Sequence, residues 1–126
     1  MRHILAATIL ATAPGLVSAQ DGDAEAGEKV FRKCQACHAV GEDAKNKVGP
    51  VLNGIVGATI ASNEEFKYSD ALAEMGAEGK EWTPEELAAF LEKPRDYAKG
   101  TKMTFAGLRK EDERADVIAY LATFGE

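Results

Sequence analysis

Cys34-Gln35-Ala36-Cys37-His38 is the stretch on which the reading of this 126-residue chain turns. Two thiols three positions apart can each form a thioether with one vinyl group of a haem. The histidine directly after them can then reach the iron. This spacing reads as covalent c-type haem attachment, with Cys34 and Cys37 holding the macrocycle and His38 as an axial ligand. The inventory sharpens it, because these are the only two cysteines and His3 is the only other histidine. Other chemistries fit the pentapeptide less well. A Cys34–Cys37 disulfide would close a very short loop and stabilise little. A redox dithiol expects a neighbouring βαβ pattern, whereas the flanks here are helical and rich in Ala, Glu and Lys. Zinc normally takes four ligands, and only three are at hand.

Residues 1–19 look like a secretory signal peptide. Arg2 and His3 make a basic start, an uncharged and mostly apolar run follows from Ile4, and Val17-Ser18-Ala19 offers a small-residue cleavage site. The run is broken by Pro14 and falls short of the roughly 20 apolar residues of a membrane span. Cleavage before Gln20 would leave one domain, residues 20–126, soluble in the periplasm. Losing Arg2 leaves 14 basic against 21 acidic side chains, a net charge of −7. That balance gives no reason to expect nucleic acid binding. A domain of this size buries only a modest core. A covalent haem would supply the missing apolar centre.

Helix signals dominate, and no alternating strand pattern stands out. Asp23 can cap a first helix carrying Val30 and Phe31 toward Cys34. Ser69-Asp70 opens a short one over Ala71–Met75, with Gly76 in the usual closing position. Trp82-Thr83-Pro84-Glu85-Glu86-Leu87 combines an N-cap, proline at N1, a capping-box glutamate and a hydrophobic staple. That helix must stop near Lys93, ahead of Pro94. A last helix is expected from Glu111 to Phe124, where Val117, Ile118, Tyr120, Leu121 and Phe124 recur at helical spacing. The long irregular stretches 41–68 and 95–110 make sense if they wrap a cofactor.

The second axial ligand must come from elsewhere in the chain. Once residues 1–19 are gone, bis-histidine ligation is excluded and the methionines left are Met75 and Met103. Met75 lies in a helix, where core filling explains it. Met103 lies in the glycine-bracketed loop Lys99-Gly100-Thr101-Lys102-Met103-Thr104-Phe105-Ala106-Gly107, which can present a side chain to iron. Met103 is therefore the favoured ligand.

Beyond the pentapeptide, Gly49-Pro50-x-Leu52-x-Gly54, Phe66-x-Tyr68-Ser69, Trp82-Thr83 and Gly100-Thr101-Lys102-Met103-x-Phe105-Ala106-Gly107 follow in order. In these motifs the chain resembles the class I cytochrome c family, the group of bacterial cytochrome c2 and its mitochondrial relatives. The resemblance spans nearly all of residues 24–124 and implies an all-α cytochrome c fold, about four helices and long loops around one haem. It implies that the Pro50 carbonyl receives the ring N–H of His38, and that Tyr68 and Trp82 donate to a haem propionate. Gly27 and Phe31 would pack near Tyr120 and Leu121, Thr101 would place a hydroxyl in the pocket, and Phe105 would lie against the haem edge. Ala58, Leu72, Phe90 and Lys99 depart from residues common in the family: arginine, asparagine, tyrosine and proline respectively.

The implied function is transfer of single electrons, with no enzymatic activity, because two protein ligands leave the iron no open position. A haem enzyme or ligand sensor with a labile sixth ligand, peroxidase-like in chemistry, is the alternative. The resemblance points to a monomer that exchanges electrons with membrane complexes. By the same resemblance a bc1-type donor would lie on one side, and a reaction centre, oxidase or reductase on the other. Lys33, Lys99, Lys102 and Lys110 are expected to form a positive haem edge, with the acids of the last helix, Glu113 included, set apart from it.

Overall fold

A computed structural model describes residues 22–125. The proposed signal peptide, residues 1–19, therefore lies outside the described residues. The architecture is helical: α1 (Ala24–Phe31), α2 (Asp70–Ala77), α3 (Pro84–Glu92), α4 (Pro94–Tyr97) and α5 (Glu111–Ala122). Among the described residues there is no strand. One isolated bridge, Thr59 with Glu81, pins the long loop to the entry of α3.

The two terminal helices make the main helix–helix contact. Asp23 caps α1 by accepting from the Glu25 N–H at 2.9 Å, while its own N–H donates to Asp116 Oδ1 on α5 at 2.8 Å. Gly27 permits the crossing, since a Cβ there would strike the Asp116 backbone and stand 2.8 Å from Tyr120 Cβ. Phe31 meets Tyr120 edge-on, with centroids 5.5 Å apart. Val117, Ile118 and Leu121 of α5 are buried beneath this contact.

Local chemistry explains where α3 begins. Thr83 Oγ1 accepts from Glu86 N–H at 3.1 Å, and Pro84 occupies the first turn. The reciprocal half of the capping box is not made, because Thr83 N–H donates to Glu81 O at 2.9 Å. Lys93 leaves the helical region at φ −148°, ψ 86°, because the ring of Pro94 disfavours helical geometry in the residue before it.

The all-α fold is the one expected, with about four helices becoming five because Pro94 also opens a short one as its first-turn residue. Two finer expectations need correction. The C-terminal helix ends at Ala122, two residues short of Phe124, with Thr123 as its cap. Gly76 does not close α2, which continues through Ala77. Its role is close approach, since a Cβ at 76 would collide with Ile60 O, and the left-handed turn falls instead at Gly79, φ +80°.

Candidate functional site

Six of the ten buried core side chains, Phe31, Trp82, Leu87, Phe90, Val117 and Leu121, also face a cavity of about 340 Å³. Close-packed interiors leave few voids larger than a water molecule. A core wrapped around a hole of this size is therefore built for an occupant. Leu52, Ile55, Leu72, Leu91 and Phe105 extend the apolar wall, and polar groups reach it from only a few places.

Those polar groups include the chemistry singled out above. Cys34, Cys37, His38, Pro50, Tyr68, Trp82, Thr101, Met103 and Phe105 all line the cavity. Met75 does not line it and packs half-buried against the core. Of the departures from the family pattern, Leu72 and Phe90 face the cavity, whereas Ala58 and Lys99 do not.

The pentapeptide sits in tight turns after α1. Cys34 N–H donates to Phe31 O at 2.8 Å, and His38 N–H to Cys34 O at 2.9 Å. Both thiols are free and half-buried. Burial raises the Cys34 thiol above its ordinary range, Lys33 opposes that and Cys37 adds to it. A group so placed is a poor thiolate, which argues against a reactive redox dithiol. Among the described residues, no group of three or more Cys, His, Asp or Glu side chains is arranged to hold a metal ion by itself.

His38 is oriented by its surroundings. Its Nδ1 lies 2.7 Å from Pro50 O. A carbonyl can only accept, so Nδ1 carries the proton and the Nε2 lone pair is left free for a metal. Burial holds the imidazole below its ordinary value, the Pro50 bond opposes that and Lys47 lowers it further. Neutral imidazole is the form that ligates. Tyr68 is placed by similar logic: its hydroxyl accepts from Asn63 N–H at 3.2 Å, so its proton points elsewhere. Burial raises its ionisation above the usual phenol range, with the Asn63 bond opposing, and it remains a donor. A haem fits this set: two thiols, a free imidazole nitrogen and a thioether in an apolar slot, with a phenol donor for an acidic edge.

Sequence reasoning missed the amide bridge behind this wall. Asn46 Oδ1 accepts from Val51 N–H and from Asn63 Nδ2, each at 2.9 Å. It joins the turn bearing Pro50 to the turn bearing Tyr68. Uncharged amides in loops carry no periodic signal, so nothing in the sequence flagged them. The charge map also needs correction. Lys33 pairs with Glu113 at 3.4 Å, and both share a cleft with Arg109 and Lys110. Glu113 is therefore part of the proposed positive edge and not remote from it.

Comparison with known proteins agrees with this geometry. The cytochrome c family profile matches residues 24–125. Cytochrome c-550 of Ancylobacter novellus is 57% identical over 98 residues, covering 78% of this chain and 92% of that protein. Cytochrome c2 of Agrobacterium tumefaciens (strain II Chrys) is 50% identical over 101 residues, covering 80% and 91%. The solved structure of cytochrome c2 from Rhodospirillum centenum superposes with a TM-score of 0.76 at 44% identity, covering 83% of this chain and all of that one.

Proposed function

Because the chain belongs to the cytochrome c family, we propose that it shuttles single electrons in the periplasm through a haem ligated by His38 and Met103. It is a haem protein and an electron carrier, not an enzyme. One observation carries the ligation reading: Cys34, Cys37, His38 and Met103 face the same apolar cavity, and Met75 does not.

A haem held there supplies one-electron iron chemistry. Cys34 and Cys37 would hold it through their sulfurs. Pro50 fixes the His38 ring and tautomer, the role that outer hydrogen bonds play for metal-bound imidazoles. Met103 offers a neutral thioether, which favours the ferrous state. Trp82, Leu87, Phe90, Val117 and Leu121 keep water out. With His38 and Met103 both available to the iron, no site would remain for a substrate, so a labile-ligand enzyme is not favoured. Acid-acetone treatment of the denatured protein should leave the haem on the polypeptide, at the mass of residues 20–126 plus one haem. Free haem in the extract, or a Cys34–Cys37 disulfide, would end this reading.

Docking is assigned to the cavity mouth. Lys33 and Lys102 line the cavity and are exposed, and Lys99 and Lys110 are exposed nearby in sequence. Such a face suits acidic sites on a bc1-type donor and on a reaction centre, oxidase or reductase as acceptor. No helix among the described residues is long and apolar enough to cross a membrane. Lys102→Glu should slow association with an acidic partner by about tenfold at low salt, within the range that steering commands. The loss should shrink as the Debye length falls from about 30 Å at 0.01 M to about 10 Å at 0.1 M. Glu78→Lys, at the exposed cap of α2, is the control and should change little. Equal effects from the two reversals would remove the positive edge as a guide.

A further inference from the structure

The Met103 segment is held at its ends and loosely in between. Downstream, buried Leu108 donates its N–H to Leu91 O at 2.7 Å. Arg114 Nη1 reaches back from α5 to Leu108 O at 2.7 Å and Arg109 O at 2.9 Å. Between residues 99 and 106 the ties are few: Thr101 N–H to Ala98 O at 3.0 Å, Met103 N–H to Thr101 Oγ1 at 3.3 Å, and Lys102 Nζ to Lys67 O at 3.2 Å. Lys99, Gly100, Lys102, Thr104 and Ala106 are exposed.

The upstream anchor is α4, a four-residue turn too short to hold itself. Tyr97 fixes it. Its ring stacks on Trp82, with centroids 5.8 Å apart, and meets Phe90 edge-on at 5.6 Å. Its hydroxyl donates to Glu86 Oε2 on α3. Lys80 Nζ lies 3.5 Å from the same carboxylate oxygen and 5.4 Å from the centre of the Tyr97 ring. Burial first, then Glu86, raises the Tyr97 phenol well above its ordinary value, so it stays a donor at any physiological pH. Glu86 thus has a task beyond the first turn of α3: it ties α4, six residues ahead of Met103, to the helix that carries Phe90 into the cavity wall.

We propose that Glu86 and Tyr97 form a positioning pair that sets how firmly Met103 stays on the iron. The proposal rests on Met103 being the ligand. Neither residue of the pair lines the cavity, so they act through the segment and not on the haem. An incoming ligand must displace Met103, and its apparent affinity scales with the fraction of molecules in which Met103 is already off.

Imidazole titration of the ferric holoprotein reads that fraction. Tyr97→Phe keeps the stacked ring and removes one hydrogen bond, and should tighten apparent imidazole binding about tenfold, the factor one such bond commands. Glu86→Ala should match it, whereas Glu86→Gln keeps an acceptor and should stay close to the parent protein. In a Met103→Ala background nothing remains to displace, and Tyr97→Phe should add nothing. A Tyr97→Phe effect of equal size with and without Met103 overturns the proposal, as does a lowered denaturation midpoint with unchanged imidazole affinity. If Met103→Ala alone leaves imidazole affinity at the parent value, the ligand assignment fails, a result distinct from failure of the pair.

Discussion

Met103→Ala should abolish the methionine-to-iron charge-transfer band of the ferric protein and lower the reduction potential. The fall should be on the order of 0.2 V, a quarter of the roughly 0.8 V that axial ligation commands across haem proteins. At about 59 mV per decade for one electron, that is more than three decades in the ferrous–ferric equilibrium. The cause is electronic: a neutral, polarisable sulfur stabilises Fe(II) relative to Fe(III), and water or hydroxide in its place does the reverse. Met75→Ala is the discriminating partner. Met75 is half-buried against the core and off the cavity, so its truncation should cost about 2 kcal/mol, the low end for a core methionine, and leave the band intact. Equilibrium redox titration with ferric spectra of both variants decides the matter. Loss of the band in Met75→Ala, with retention in Met103→Ala, would move the ligand to α2.

What could be read from the sequence, and what could not, divides by the range of the interaction. The start of α3 was legible because Thr83 and Pro84 act within a turn of each other. The destination of Glu86 was not. The capping pattern points its carboxylate at Thr83 N–H, but Glu81 O already occupies that donor and Tyr97 supplies another eleven residues away. Pro94 was read as a stop, which it is for α3, although the same ring geometry suits the first turn of α4. Gly76 looked like a helix terminator by its place in the sequence, yet its neighbour Ile60 O, sixteen residues away, is what demands it. The cavity was foreseen through Cys34, Cys37 and His38 because covalent chemistry requires a fixed local spacing. The Asn46–Asn63 bridge and the Lys33–Glu113 pair span 17 and 80 residues, and neither leaves a local pattern.

Gly49→Ala should damage the site more than any other single methyl group added here. Gly49 is buried with His38 directly over it. A Cβ at 49 would stand 2.8 Å from Nδ1 and 2.9 Å from Nε2 of the imidazole, and would overlap Cε1 outright. Gly49 has no positive φ, so alanine suits the backbone and the conflict is with the ring alone. The backbone cannot easily retreat, because Gly49 N–H donates to Cys37 O and its carbonyl accepts from Lys47 N–H, both at 2.9 Å. The ring must therefore move, and the 2.7 Å bond to Pro50 goes with it. Overpacking of this kind costs about 1–3 kcal/mol. Loss of the hydrogen bond that orients a metal-bound imidazole costs a further 10- to 100-fold in metal affinity, on the order of 1–3 kcal/mol. Gly57→Ala provides the contrast. Its φ of +89° makes alanine strained, but nothing lies within 4 Å of the added carbon. It should cost about 1 kcal/mol through the backbone and leave ligation untouched. Denaturant midpoints, with the pH at which acid displaces the histidine, separate the two. Gly57→Ala should lower only the first, whereas Gly49→Ala should lower the midpoint and raise that pH. A Gly49→Ala protein whose histidine is displaced at the parent pH would mean that the ring is not held where Gly49 admits it.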